Sequence, residues 1–540
     1  MRLDSIIENA DIVTMDPSYP RATRMGVWKG RIVGLDDDLD GLSATETVDL
    51  SGRCVIPGLI DGHTHNGITG LRMQSLDITG CATPDQALDR IRAASKEKPK
   101  GEWLEVVGYD QRVFGRDITA AELDAAVGDR KVWMRHISSH SSVVSTAVLR
   151  DGFNERLSLG DVLDDAEDDA WDDEFPPDGL LVEDNQRLVQ GQRMPYSQRE
   201  IETALVAAGQ RCLSEGITMC IDAGIGANLA SLGAAELAAY QALRERGELP
   251  QRMQVMAGFD AIHPLSTAVE DGYADGLDLG MRTGFGDDWL SLGAMKLWLD
   301  GGMMVRSAAV TEPYAGTTNT GMLLMDEESV TQIVMQAQRA GWQLALHAIG
   351  DHAIDVALDA FEYAQQDSQG VDTRHRIEHA GMIRPDQIAR FGALGMTIGT
   401  QPCFLWYSGD DFAQLVGSER VDWLYRGRSL IDAGVRLVGS TDRPLPGDPL
   451  RGIQVMVDRR TPTGVVVGSD EGVTVDEALA AFTINAAWAA GREHDLGSLS
   501  AGKAADFVVL DASPYAVEPA QIGEIAVERT YIDGLLRFEK

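Results

Sequence analysis

The run Pro57-Gly58-Leu59-Ile60-Asp61-Gly62-His63-Thr64-His65 decides the fold. It is an apolar segment that closes on two histidines separated by one residue. Side chains alternate across a strand, so positions i and i+2 point the same way. His63 and His65 are therefore placed to grip one metal ion from a strand end. The Asp61-Gly62 step reads as a turn signal where the apolar run stops. Further along, Lys296, His347, His379 and Asp442 each stand at or near the end of another apolar run.

Working outward, the middle of the chain alternates strand-like and helix-like segments. The strand candidates are Val55–Asp61, Thr218–Ala223, Gln254–Gly258, Ala294–Leu299, Gln343–His347, Arg376–His379, Met396–Thr400 and Arg436–Ser440. Helices fit between them over Glu200–Glu215, Ala234–Arg246 and Ser329–Ala340. Strands alternating with helices predict an α/β fold with a parallel (β/α)8 TIM barrel. In that fold chemistry sits at the C-terminal strand ends, where the candidate ligands fall.

Both ends of the chain have a different texture. Ile6–Val13 reads as strand, Met25–Leu35 as a hairpin turning at Lys29-Gly30, and Asp506–Asp511 and Arg529–Ile532 as strands. Residues 1–54 and 490–540 are expected to form one small composite β-sandwich. The barrel is then 55–70 and 196–489, and 71–195 is an inserted α/β domain expected to cover the barrel mouth. The insertion holds a helix-like run at Pro84–Ala94 and strand-like runs at Leu104–Gly108 and Lys131–Ile137. It is far longer than an ordinary barrel loop.

Composition narrows the partners. With 47 Lys and Arg against 84 Asp and Glu, the formal net charge is -37. That argues against nucleic acid or an anionic membrane, which need clustered positive charge. Much of the acid lies between Asp161 and Glu174, which reads as a solvated loop. The 5 cysteines are scattered and form no Cys-x-x-Cys, so a reducing compartment is favoured over a disulfide framework. The start lacks a signal-peptide pattern, and no window offers an uninterrupted apolar span of membrane length. The expected location is cytoplasmic, the expected partner a small-molecule substrate.

Imidazole and carboxylate suit zinc and similar metals. His63, His65, His347, His379 and Asp442 supply both kinds of ligand. Lys296 is the odd member, because an ammonium is repelled by a cation. Carboxylation by carbon dioxide turns it into an anion able to bridge two metals; the alternative is a buried lysine paired with Asp300.

These motifs resemble the amidohydrolase superfamily, specifically its YtcJ-like branch, which includes N-substituted formamide deformylases. The resemblance runs over nearly the whole chain. It includes Asn9 to Asp16, Pro57 to His65, Lys296 to Gly301, His347 to Asp351 and Arg374 to His379. It continues through Gln401-Pro402, Ser440 to Pro444, Gly497 to Leu499 and Gly502 to Asp506. It implies that His63, His65 and Asp442 hold a first zinc, and that His347 and His379 hold a second. Carboxylated Lys296 bridges them; members that work with one metal leave a single-zinc site open. It also implies a homodimer. The chain departs from the branch at Arg443 and in the bulkier run Gly302-Met303-Met304-Val305-Arg306.

Such a site lowers the pKa of bound water from ~16 to ~7 and polarises a carbonyl. Asp442 is then the catalytic residue, taking a proton from the attacking hydroxide-forming water and passing it to the leaving amine. Asp300 orients a ligand from behind. The expected reaction is hydrolysis of a carbon–nitrogen bond, as in an N-substituted formamide. The same machinery could act on cyclic amides, carbamates, esters or organophosphates. A deaminase ranks lower, because that group keeps an acid three residues after the fifth-strand histidine, where this chain has Gly350. A noncatalytic scaffold ranks lowest, since the ligand set is complete. Substrate contacts are expected from Tyr109, Asp110, Gln111 and His140 in the insertion, and from Trp298, Arg306, Trp406 and Arg443 after strand ends. Either arginine could instead pair with an acid of the protein.

Overall fold

A computed structural model describes residues 2–137, 141–159, 178–227, 231–367 and 374–540. The acidic stretch from Asp161 to Glu174 and His140 lie outside the described residues. The chain divides into two compact units, Met1–Gly67 with Leu205–Lys540, and Ile68–Ala204.

The first unit holds eight parallel strands. They are β1 (Leu59–Thr64), β2 (Ile217–Ile225), β3 (Arg252–Gly258), β4 (Leu290–Trp298), β5 (Leu344–Ala348), β6 (Arg376–His379), β7 (Thr397–Thr400) and β8 (Arg436–Gly439). Each pairs in parallel with the next along the chain. Helices connect them, among them Gln198–Ser214, Ala235–Arg246 and Glu327–Arg339. This is a TIM-type barrel, closed to within one seam.

Gly62 explains how the seam is drawn together. A Cβ there would lie 2.3 Å from Val438 Cγ1 and 3.0 Å from the Gly439 carbonyl. Only glycine lets β1 approach β8 so closely. Just beyond, the Asp442 N–H donates to the His63 carbonyl at 2.9 Å. The Asp61-Gly62 step is thus inside a strand, not at a turn; close packing, not chain reversal, requires the glycine.

The segment expected as one strand, Val55–Asp61, is two. Cys54–Pro57 lies antiparallel to Phe507–Leu510 and parallel to Asp11–Val13, and the chain enters the barrel only at Leu59. Pro57 explains the break, because it lacks the N–H that would continue a ladder.

The same unit carries two sheets built from both ends of the chain. One has four strands, in the order Arg31–Leu35, Met25–Trp28, Arg2–Glu8, Ser43–Asp49. The other has six, ordered Leu535–Glu539, Val527–Ile532, Phe507–Leu510, Cys54–Pro57, Asp11–Val13, Arg21–Ala22. Ile7, Ile12, Met25, Val27, Val55, Phe507 and Val509 bury one shared core. Phe507 and Tyr531 stack within it, ring centroids 4.3 Å apart. Each such buried side chain contributes about 1.5–3 kcal/mol. Arg252 at the start of β3 ties barrel to sandwich, donating to Asp506 at 2.8 Å and Asp533 at 2.6 Å.

The second unit is a five-stranded sheet ordered Leu180–Val182, Ser141–Val144, Val132–His136, Leu104–Tyr109, Leu76–Asp77. Helices Pro84–Glu97 and Ala120–Val127 supply the apolar faces that cover its core, with Ala87, Leu88, Ile91 and Leu123 buried. No helix among the described residues is long and apolar enough to cross a membrane.

Candidate metal centre

Five strand ends deliver the ligands expected from the sequence. His63 lies on β1 and His65 just after it; Lys296 is on β4, His347 on β5, His379 ends β6, and Asp442 follows β8. Nε2 of His65 is 3.1 Å from Asp442 Oδ1, and Nε2 of His63 is 3.7 Å from it. Ligand atoms of these three residues all lie within 4.8 Å of one another. The remaining histidines continue the line: His63 to His379 is 5.2 Å between ring centroids, and His379 to His347 is 4.3 Å.

Backbone strain sets two of these groups. His379 has φ 72° and Asp442 φ 52°, left-handed values that non-glycine residues seldom adopt. Such conformations cost about 1–3 kcal/mol each and persist where surrounding contacts enforce them. Around Asp442 those contacts are visible. The buried Asp61 carboxylate accepts from Thr441 N–H at 3.0 Å and from Thr441 Oγ1 at 2.6 Å. Burial pushes Asp61 up to about 6, against the opposing pull of Arg443 and Thr441.

Three of the histidine rings have a buried side chain beside them. His63 Nδ1 lies 2.5 Å from Glu378 Oε2, and Arg376 Nε donates to the other Glu378 oxygen at 2.7 Å. His379 Nδ1 lies 2.8 Å from Gln401 Oε1. An acceptor at Nδ1 fixes the tautomer in which Nε2 keeps its lone pair for a metal. Asp300 Oδ1 is 3.4 Å from His347 Nε2, while backbone N–H groups of Ile349, Gly350 and Ala309 hold its carboxylate at 2.8–3.0 Å. Burial nevertheless raises Asp300 to about 7. It also lowers His63 to about 4 and His379 to about 3.

Glu378 and Gln401 were not among the sequence candidates. The signal for Glu378 was present in Arg376-Ile377-Glu378, opposite charges two apart on the short strand that ends in His379. Replacing it tests its role. Glu378→Gln should weaken metal binding about 10–100-fold, read by competition against a chelator. It should also lower the melting temperature, because Arg376 is left as a buried charge without a counterion.

Lys296 is the most informative side chain. It is fully buried, and Nζ has no hydrogen-bond partner. The pairing with Asp300 that the sequence allowed is not formed. Its neighbour is the Trp298 ring, 5.2 Å from Nζ to centroid. A buried amine without an acceptor is costly, so its surroundings fit a group that completes it. The donor set fits a metal as well. Two imidazoles and a carboxylate are an ordinary three-ligand zinc set with one position open.

The expected substrate contacts are placed as follows. Arg443 takes the ion-pair alternative: its guanidinium is buried and engaged with Glu215, with Thr441 Oγ1 at 3.1 Å and with Cys212 Sγ at 3.5 Å. It is spent on holding the turn that carries Asp442. Arg306 is exposed, with φ 57°. Trp298 packs so tightly that a Cβ on Gly224 would lie 2.4 Å from its ring. Trp406 lies under the Arg451 guanidinium at 4.3 Å. In the second unit, Tyr109 is a core residue whose hydroxyl bonds Asp117. Asp110 caps the short helix Gln111–Phe114 and pairs with Arg112 at 2.9 Å. Gln111 Oε1 is buried without a hydrogen-bond partner.

A barrel whose strand ends bring together two histidines and an aspartate able to hold a metal is a metal-dependent hydrolase acting on carbon–nitrogen or related bonds. The chain belongs to the amidohydrolase family, whose model matches residues 46–537. It is 31% identical over 548 residues to Protein LONG AFTER FAR-RED 3 of Arabidopsis thaliana, covering 98% of this chain and 91% of that one. It is 29% identical over 562 residues to the N-substituted formamide deformylase of Arthrobacter pascens, covering 99% and 98%. Among solved structures, an uncharacterized metal-dependent hydrolase from Pyrococcus furiosus superposes with a TM-score of 0.76 at 26% identity, over 94% of this chain and 99% of the other.

Proposed function

We propose that the protein hydrolyses the carbon–nitrogen bond of a small amide, with N-substituted formamides as the substrate class. The observation that carries this reading is the Asp442 carboxylate beside both His65 and His63, where one oxygen serves as ligand and as base. Likeness to a formamide deformylase over nearly both full lengths supports the choice of substrate. So does the aromatic cluster of Phe404, Trp406 and Tyr407, whose Phe404 ring lies over His379 at 6.2 Å between centroids, which suits an apolar or aryl substituent on nitrogen.

His63, His65 and Asp442 would hold one zinc, and His347 and His379 a second, with carboxylated Lys296 between them. Bound zinc supplies a Lewis acid for the carbonyl and makes water acidic enough to attack at neutral pH. Asp442 accepts the proton of the attacking water as its oxygen bonds the carbonyl carbon. It then gives that proton to the departing nitrogen as the carbon–nitrogen bond breaks, releasing an amine and a carboxylic acid. Glu378 and Gln401 keep the His63 and His379 rings in register throughout.

The test is metal content per chain on protein purified without chelator, read beside turnover of N-aryl and N-alkyl formamides. About two zinc ions with formamide turnover is the expected result. Two without turnover would move the search to cyclic amides, carbamates and esters. One would remove the bridging role of Lys296. No metal after reconstitution would overturn the reading.

A further inference from the structure

We propose that Tyr425 is a catalytic residue, its hydroxyl donating a hydrogen bond to the carbonyl oxygen of the scissile group as negative charge develops there. Three observations converge on it. First, Tyr425 is buried, and its hydroxyl has no hydrogen-bond partner. Second, its backbone has φ 42°, which for a bulky side chain is a genuine outlier. Third, the hydroxyl stands at the site. A methyl on Gly381 would lie 3.4 Å from it and 3.0 Å from Ile349 Cγ2. Gly381 and Ile349 each come two residues after a histidine, His379 and His347. The hydroxyl therefore sits where the chain leaves β6 and β5.

The surroundings hold it there deliberately. The Tyr425 N–H donates to the Gly381 carbonyl at 3.0 Å. The buried Arg459 donates to the Tyr425 carbonyl at 2.7 Å and to the Leu424 carbonyl at 2.8 Å. Phe404 meets the Tyr425 ring edge-on at 5.9 Å, and Phe412 stacks on it at 6.2 Å. Phe404 in turn lies over His379, 6.2 Å between centroids. A phenylalanine would fill this aromatic packing equally well. The hydroxyl instead adds an unmet polar group costing about 1–3 kcal/mol. Strain and an orphaned donor together mark a site completed by a ligand.

The ligand must bring an acceptor. Burial, reinforced by the Asp442 and Asp300 carboxylates, pushes the phenol well above its ordinary value, so it remains a donor at every working pH. Of the groups in an amide, the carbonyl oxygen gains charge during attack, and a donor fixed beside it strengthens as the reaction proceeds.

This inference rests on the hydrolase reading, and the experiment separates the two. Zinc-loaded wild type and Tyr425→Phe are compared in turnover of the formamide, carbamate, lactam and ester panel. Binding of methylphosphonate, a tetrahedral oxyanion, is measured alongside. Tyr425→Phe should retain its metal and melt at or above the wild-type temperature, since an unmet hydroxyl is removed. It should lower kcat about 10²–10³-fold with KM nearly unchanged, and weaken methylphosphonate at least tenfold. Methylphosphonate binding that weakens in the variant while wild type turns over nothing on the panel keeps Tyr425 and rejects the substrate class. Equal kcat, equal methylphosphonate binding, no methylphosphonate binding by wild type, or a lower melting temperature in the variant would each overturn the proposal.

Discussion

Asp442→Asn is expected to abolish turnover, by about 10⁴-fold or more, while the protein keeps its fold. Removing a positioned general acid–base costs about 10²–10⁴-fold. The same substitution replaces an anionic ligand with a neutral amide, which adds to that loss. The structural reasons for survival of the fold are separate from the carboxylate. The Asp442 N–H to the His63 carbonyl, the Thr441 bonds to Asp61 and the Arg443 pair with Glu215 all lie outside it. Circular dichroism and melting should therefore change little. The lost negative charge lies 3.1 Å from His65, so zinc affinity should fall as well. Assays at saturating zinc separate the two effects. Near-normal turnover under those conditions would deny Asp442 its role as proton carrier.

The barrel was legible because short strand-like runs alternate with helix-like ones along the middle of the chain. The run Arg376-Ile377-Glu378-His379 is the strand β6 itself, read residue for residue. The cluster of His63, His65 and Asp442 was legible because strand ends are where this fold exposes side chains to one shared space. What was not legible depends on partners remote in sequence. Glu378 and His63 are 315 positions apart, and nothing local to either announces the other. Arg443 was left open between a substrate contact and an ion pair, because its partner Glu215 lies 228 positions away. Tyr109 was expected to meet substrate from the insertion; its hydroxyl donates to Asp117 of the same unit. Gly62 shows the opposite error. Asp-Gly is a turn signal in general, but here the glycine answers to Val438 across the barrel seam. Local pattern identifies elements; it does not say which element will press against which.

Lys296→Ala should halve the metal content and cut turnover at least about 10²-fold, with part of the activity restored by added formate, acetate or propionate. Nζ is buried without an acceptor, and no side chain among the described residues completes it. Reaction with carbon dioxide removes a proton from nitrogen and forms a nitrogen–carbon bond. The neutral amine would thereby become a carbamate anion, its proton passing to solvent, and that anion would serve as a metal ligand. Alanine leaves the volume of that group empty, and a small free carboxylate fits the vacated space. A second substitution reverses the sign of the stability effect. Lys296→Met keeps the side-chain bulk and removes the orphaned polar atom, so the metal-free protein should gain about 1–3 kcal/mol. The metal-loaded protein should lose the linkage stabilisation of one zinc, which grows as RT ln(1 + [L]/Kd). Melting curves with and without zinc would show the two effects crossing. If Lys296→Met instead lowers the stability of the metal-free protein and leaves zinc stoichiometry unchanged, the lysine is a packing residue and the centre holds a single metal on His63, His65 and Asp442.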